Sequence, residues 1–188
     1  MVSLARLRSV APASSHTLPP ERRNSRSPGL SRGRALFRAG LLTALIDGLF
    51  SSALNVFAYG STVTRLFQGV AATLLDREAF DGGLSTAAVG VLMHVGVAFG
   101  WSAVFVLGLM RAAPVRALLV SRYGVIKVAA LYGPFIWLVM SLVVIPLLTG
   151  RPPAITGRWW IQFFGHIPFV GLPIAAVSRG GGWFATGR

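Results

Sequence analysis

Apolar residues run through this chain in four long blocks, from about residue 40 to 59, 84 to 110, 124 to 148 and 159 to 178, each holding a single Asp, His or Lys. A helix rises about 1.5 Å per residue, so about 20 such residues cross a hydrocarbon core of ~30 Å. The pattern predicts an all-α fold, a transmembrane four-helix bundle. A shorter apolar stretch, Val63 to Leu75, carries Arg65 and Gln68 and is too short and too polar to span alone. Ser61-Thr62 ahead of it offers an N-cap, which predicts a short re-entrant or interfacial helix between the first and second spans. Asp76 to Gly83 follows with three of the five carboxylates and reads as a loop in water or headgroups. In the third span Gly133-Pro134 predicts a kink, because proline removes a backbone hydrogen bond and crowds the preceding turn.

Outside the blocks the pattern changes character. Residues 1–38 are rich in Arg, Ser and Pro with one acid, Glu21, and show no apolar period, as in a disordered basic cytoplasmic tail. An Arg- and Ser-rich, acid-poor start also suits a transit peptide. The membrane domain is then expected over 39–179, with 180–188 a flexible C-terminal tail. Orientation follows from the cations. The tail, the Arg111–Lys127 segment and the C-terminal end hold 14 of the 18 Lys and Arg, whereas Arg65, Arg77, Arg151 and Arg158 fall on the other side. Basic residues remain on the untranslocated side, so a multi-pass protein with both termini cytoplasmic is expected.

Composition narrows the chemistry. Hydrophobic residues make up 54% of the chain and charged ones 12%, which excludes an ordinary soluble domain. With no cysteine, disulfides, thiolate metal sites and thiol nucleophiles drop out. The net charge of +13 would suggest nucleic acid were it gathered on a folded surface; distributed between spans it serves topology, and no nucleic-acid partner is expected. There is no paired-carboxylate motif, GxSxG elbow or P-loop, so no catalytic residue is assigned and no cofactor is called for.

What chemistry the blocks do hold is intramembrane. Thr43, Asp47, Ser51 and Asn55 recur every fourth residue and share one helical face, with Gly48 and Ser52 beside them. A carboxylate facing lipid costs several kcal/mol, so this stripe is expected to face the bundle interior. Gly90, His94 and Ala98 share a face in the second span, where Gly96 and Gly100 form a small-xxx-small pair for helix packing. Gln162 and His166 lie one turn apart in the fourth, and Pro168 would free a carbonyl nearby. Counted from the far interface, Asp47, His94 and His166 fall about 18, 15 and 11 Å deep. Asp47, Asn55, His94, Gln162 and His166 are therefore the candidate binding residues. An Asp and two His suit a proton relay; they would also suit a divalent ion such as zinc, though no HExxH-type spacing backs a metal.

Five stretches resemble the YagU-like group of small bacterial four-span inner-membrane proteins: GLLTALIDGLF, RLFQGVAATLL, GGLSTAAVGVLMHVGVAFG, YGPFIWLVMSLVVIPL and HIPFVGLPIA, together covering about Arg38 to Arg179. The resemblance implies a four-helix bundle in the bacterial plasma membrane, carries the Asp and both His positions over, and supplies no substrate. Where that pattern leads one to expect Asn in the third span, this chain has Ser141. The expected activity is moving or sensing a proton or small solute; the alternative is a non-catalytic subunit that packs on partner helices. Membrane lipids, other membrane helices or a second copy are the expected partners.

Overall fold

A computed structural model describes residues 28–180, with side chains from residue 32. The described residues are helical with no strand, and four helices are long and apolar enough to cross a membrane: α1 (Arg32–Ala58), α3 (Gly83–Arg111), α5 (Gly124–Thr149) and α6 (Gly157–Gly180). Two short helices complete the fold, α2 (Val63–Leu75) and α4 (Ala113–Val120). The chain is an all-α four-helix bundle with the composition of a membrane protein. Its exterior is greasy: Phe57 on α1, Leu92 on α3 and Leu147 on α5 are 87, 72 and 79% exposed. Such a surface is at rest only against hydrocarbon.

The first helix departs from expectation. Helical winding begins at Pro28, so the stretch from there to Arg38 is ordered where a disordered tail was expected. Packing explains the difference: Ala35 and Ala39 are buried, and Phe37 meets Phe99 of α3 edge-on at 6.0 Å. The arginines between them hide this face from a hydropathy reading. The remainder of the expected tail, 1–27, and the segment 181–188 lie outside the described residues.

α2 begins as its cap residue predicts, with Thr62 Oγ1 accepting from the Arg65 amide at 3.1 Å. It lies along the first turns of α3 rather than away from the bundle. Gln68 Nε2 donates to the Gly83 carbonyl at 3.1 Å, and Gly90 lets the Phe67 carbonyl come so near that a Cβ there would sit 1.8 Å from it. The following Asp76–Phe80 turn keeps its acidic side chains exposed, as a loop should. In α5 the winding continues through Pro134, whose surroundings are tight: Gly133 and Gly171 let α5 and α6 touch backbone to backbone.

α1 packs between α3 and α6, and α5 packs on α6 from the other side. Because α1 begins where α3 and α6 finish, one end of the bundle collects all three, and it is called the terminal end below. The apolar core lies towards that end, where Phe105, Met110, Leu119, Tyr132 and Ile174 come together from α3, α4, α5 and α6. Tyr132 also donates its hydroxyl to the Trp101 carbonyl at 2.7 Å, tying α5 to α3. Tyr132→Phe keeps the ring and loses this bond, and a destabilisation of about 1 kcal/mol is expected in detergent unfolding. No change in unfolding would mean that the bond contributes nothing.

Each long helix contains one wide, π-type turn, at Leu54–Ala58, Val104–Gly108, Met140–Val144 and Ile167–Gly171. Proline accounts for two of them. Pro146 and Pro168 cannot donate a backbone hydrogen bond, and the winding loosens around them.

Candidate functional site

Asp47 projects from α1 towards α3, and His94 meets it: Nδ1 of the ring lies 3.9 Å from Asp47 Oδ2, with only 17 and 15% of the two side chains exposed. The other ring nitrogen, Nε2, lies 3.0 Å from the carbonyl of Ala44. A carbonyl only accepts, so Nε2 must carry a proton and donate. This anchor depends on Gly48, one turn beyond Ala44. A Cβ at Gly48 would stand 3.3 Å from Nε2, crowding the path by which the imidazole reaches the carbonyl.

The tautomer then fixes the chemistry of the remaining pair. Were Nδ1 and Oδ2 both bare, two lone pairs would face each other in a low-dielectric interior. A proton on the ring or on the acid, or a bridging water that donates to both, relieves that repulsion. The gap of 3.9 Å is longer than a hydrogen bond, and a small movement or one bridging water closes it. Asp47 Oδ1 is buried with no partner, so this acid is left open on its second oxygen.

His166 approaches from α6. It is buried, its Nδ1 donates to the Gln162 carbonyl at 2.7 Å, and it lies within electrostatic reach of Asp47 and His94. It makes no ion pair closer than 4 Å with Asp47. The ring rests against Trp137 of α5 with centroids 4.9 Å apart, so every long helix contributes to the site. Aromatic rings close its surroundings: Phe67 of α2 meets His94 at 5.9 Å, and Phe50 of α1 stacks on Phe169 of α6 at 4.1 Å. Glycine makes the last contact possible, because Gly165 leaves space for the Phe50 ring where a Cβ would sit 2.7 Å from it.

Of the five candidate residues, Asp47 and His94 thus meet in the bundle interior, and His166 is buried on α6 with no ion pair or hydrogen bond to either. Gln162 takes part through its backbone carbonyl. Asn55 stands apart: its Nδ2 donates to the Thr62 carbonyl at 2.8 Å and its own carbonyl accepts from Ser61, closing the turn between α1 and α2. It is two helical turns from Asp47, beyond contact. Nor is the carbonyl opposite Pro168 free, since Phe164 accepts from the Ile167 amide. Ser141 is engaged as well, accepting from Trp159 Nε1 at 3.1 Å in a buried contact.

Three features of the site were not signalled by residue type. The Ala44 carbonyl is backbone, and the rings of Phe67 and Trp137 read in sequence as ordinary apolar positions. Among the described residues no three His, Asp or Glu side chains are disposed to hold a metal ion. Compared with models of known families, with curated proteins and with solved structures, the chain matches none.

Proposed function

We propose that this protein sits in the bacterial plasma membrane with both termini cytoplasmic, and moves or senses a proton or small solute through the Asp47, His94 and His166 site. The observation that carries the reading is the Asp47–His94 pair. An acid and a base face each other in the bundle interior, and the ring's far nitrogen is held on a backbone carbonyl. Such an arrangement suits exchange of one proton without loss of ring orientation, and intramembrane ionisable groups facing inward are a common mark of ion and proton pathways. Lipid is the direct neighbour of the apolar exterior.

The test uses the full chain in lipid vesicles with a trapped pH-sensitive dye. Wild type is expected to dissipate an imposed pH gradient, and Asp47→Asn, equally inserted, to do so at least tenfold more slowly. Equal rates would sink the proposal.

A second reading, a non-catalytic subunit, is favoured by a different observation. Gly96 and Gly100 of α3 face outward with nothing near where a Cβ would be, and Gly100 borders a shallow apolar groove with Val97, Trp101, Val104, Met140 and Val144. Such a face suits close approach by another membrane helix or a second copy. Purification in mild detergent decides: a stoichiometric partner, lost on Gly100→Leu, together with Asp47 and His94 variants that are only less stable, supports the subunit reading over the proton site.

A further inference from the structure

Among the described residues four hydroxyls are buried and make no hydrogen bond: Thr43 Oγ1, Ser102 Oγ and Ser178 Oγ, on residues 2, 0 and 0% exposed, and Tyr59 Oη. That is unusual for a helical Ser or Thr, which can satisfy itself on the carbonyl three or four residues earlier. Thr73, Ser85 and Thr149 of this chain do so, at 2.8, 2.6 and 2.9 Å. Thr43, Ser102 and Ser178 do not; they come from three different helices and lie on one side of the Asp47–His94 pair, whereas Tyr59 lies about three turns beyond it on the other.

Their levels follow from the packing. Thr43 is one turn, about 6 Å, from Asp47 towards the terminal end of α1. Phe169 stacks on Phe50, so Ser178, nine residues further along α6, lies about 14 Å nearer that end, level with about Leu41. Phe99 packs against Gly40 and Phe37, which puts Ser102 about one turn beyond them. The order from the pair outward is therefore Thr43, Ser178, Ser102, with steps along the bundle axis of about 3 Å and about 8 Å. Along the same face α1 offers only Ala39 and Ala35, both buried and both small. In the other direction Phe67 packs on His94, and α1 continues with Phe50 and, one turn beyond Asp47 on its polar face, Ser51.

We infer that these three hydroxyls hold a line of water joining the Asp47–His94 pair to the terminal end of the bundle, so that the site exchanges protons with that side. The inference rests on the proposed proton site and gives it one route of access. A buried water needs two to four polar partners. Each hydroxyl supplies a donor and an acceptor, and Asp47 Oδ1, buried and unpartnered, supplies the inner end. A proton passed inward along the line arrives on Asp47 Oδ1, and the reverse transfer returns one to the terminal side. The charged groups facing the pair are Asp47 itself from α1, His94 from α3 and His166 from α6, and the α5 face contributes Trp137.

The chain has no cysteine, so single cysteines can be read against a silent background. Ser102→Cys, Ser178→Cys and, as a dry control, Ala175→Cys in the apolar core are placed in the full chain in vesicles and exposed to a membrane-impermeant trimethylammonium thiosulfonate from each side in turn. Both serine positions are expected to react at least tenfold faster than the control, from the terminal side only. Reaction no faster than the control, or reaction from the far side, overturns the inference. A second measurement does not depend on labelling. If the hydroxyls hold water, Ser102→Ala and Ser178→Ala lower the unfolding midpoint in detergent; if they are dry, removing an unpartnered group raises it, and the line of water is refuted. Proton flux separates the two levels. Flux lost in Asp47→Asn with unreactive cysteines leaves the proton site standing without this route, whereas reactive cysteines with flux unchanged in Asp47→Asn leave the route and remove the proton site.

Discussion

Gly133→Ala is expected to destabilise the bundle by about 3 kcal/mol, a large effect for one methyl group, because overpacking where neither side can yield is costly. A Cβ at Gly133 would stand 2.1 Å from the His166 carbonyl oxygen and 2.6 Å from its carbon, and both are backbone. No side chain can rotate away. On the facing helix Gly171 is in the same position, 2.5 Å from the Ala129 carbonyl oxygen, so the crossing of α5 and α6 rests on a reciprocal pair of glycines. Helix propensity works the other way, since alanine exceeds glycine by up to about 1 kcal/mol within a helix. The same substitution at Gly96, where the space is open, is therefore expected to be neutral or slightly stabilising. Unfolding of both variants in detergent checks the contrast. Equal effects at the two positions would mean that α5 and α6 do not cross as described. A consequence for the site follows, since the carbonyl that Gly133 accommodates belongs to His166. Driving the helices apart shifts that ring relative to Asp47.

This crossing also illustrates what the chain discloses unaided. Four spans are legible because their length and apolarity are set by the bilayer rather than by tertiary contacts, and the start of α2 because Thr62 caps it locally. The Asp47 stripe is legible through its period of four, which places it on one face wherever the helix goes. Counting residues from the interface gives a level, so it brings His94 opposite Asp47 in depth. It gives no rotation about the helix axis, and thus cannot tell an ion pair from two residues facing apart. Asn55 shows the cost of extending a period too far: the winding widens at Leu54–Ala58, and its side chain serves the turn instead of the site. The helical start at Pro28 was hidden for another reason, because Arg32, Arg34 and Arg38 mask a packing face as small as Ala35 and Ala39. Ser102 and Ser178 carry no signal at all in sequence, since only the fold distinguishes a serine bonded to its own helix from one that is not.

The largest effect at the site itself is expected from taking one member of the Asp47–His94 pair away. His94→Leu leaves Asp47 with Oδ1 unpartnered and Oδ2 facing an alkyl group, and breaking a buried pair in this way costs on the order of 3 kcal/mol. Asp47→Leu is milder, because His94 keeps its bond to the Ala44 carbonyl through Nε2 and a neutral ring can remain. The double variant Asp47→Leu, His94→Leu removes both polar groups together and is expected to recover most of the loss, since replacing a buried pair with apolar side chains is often neutral. A coupling of about 2 kcal/mol between the two sites, measured as the non-additivity of the three variants in detergent unfolding, is the expected result. Additivity would show that the two groups do not sense each other, and a proton between Nδ1 and Oδ2 would then have no structural basis.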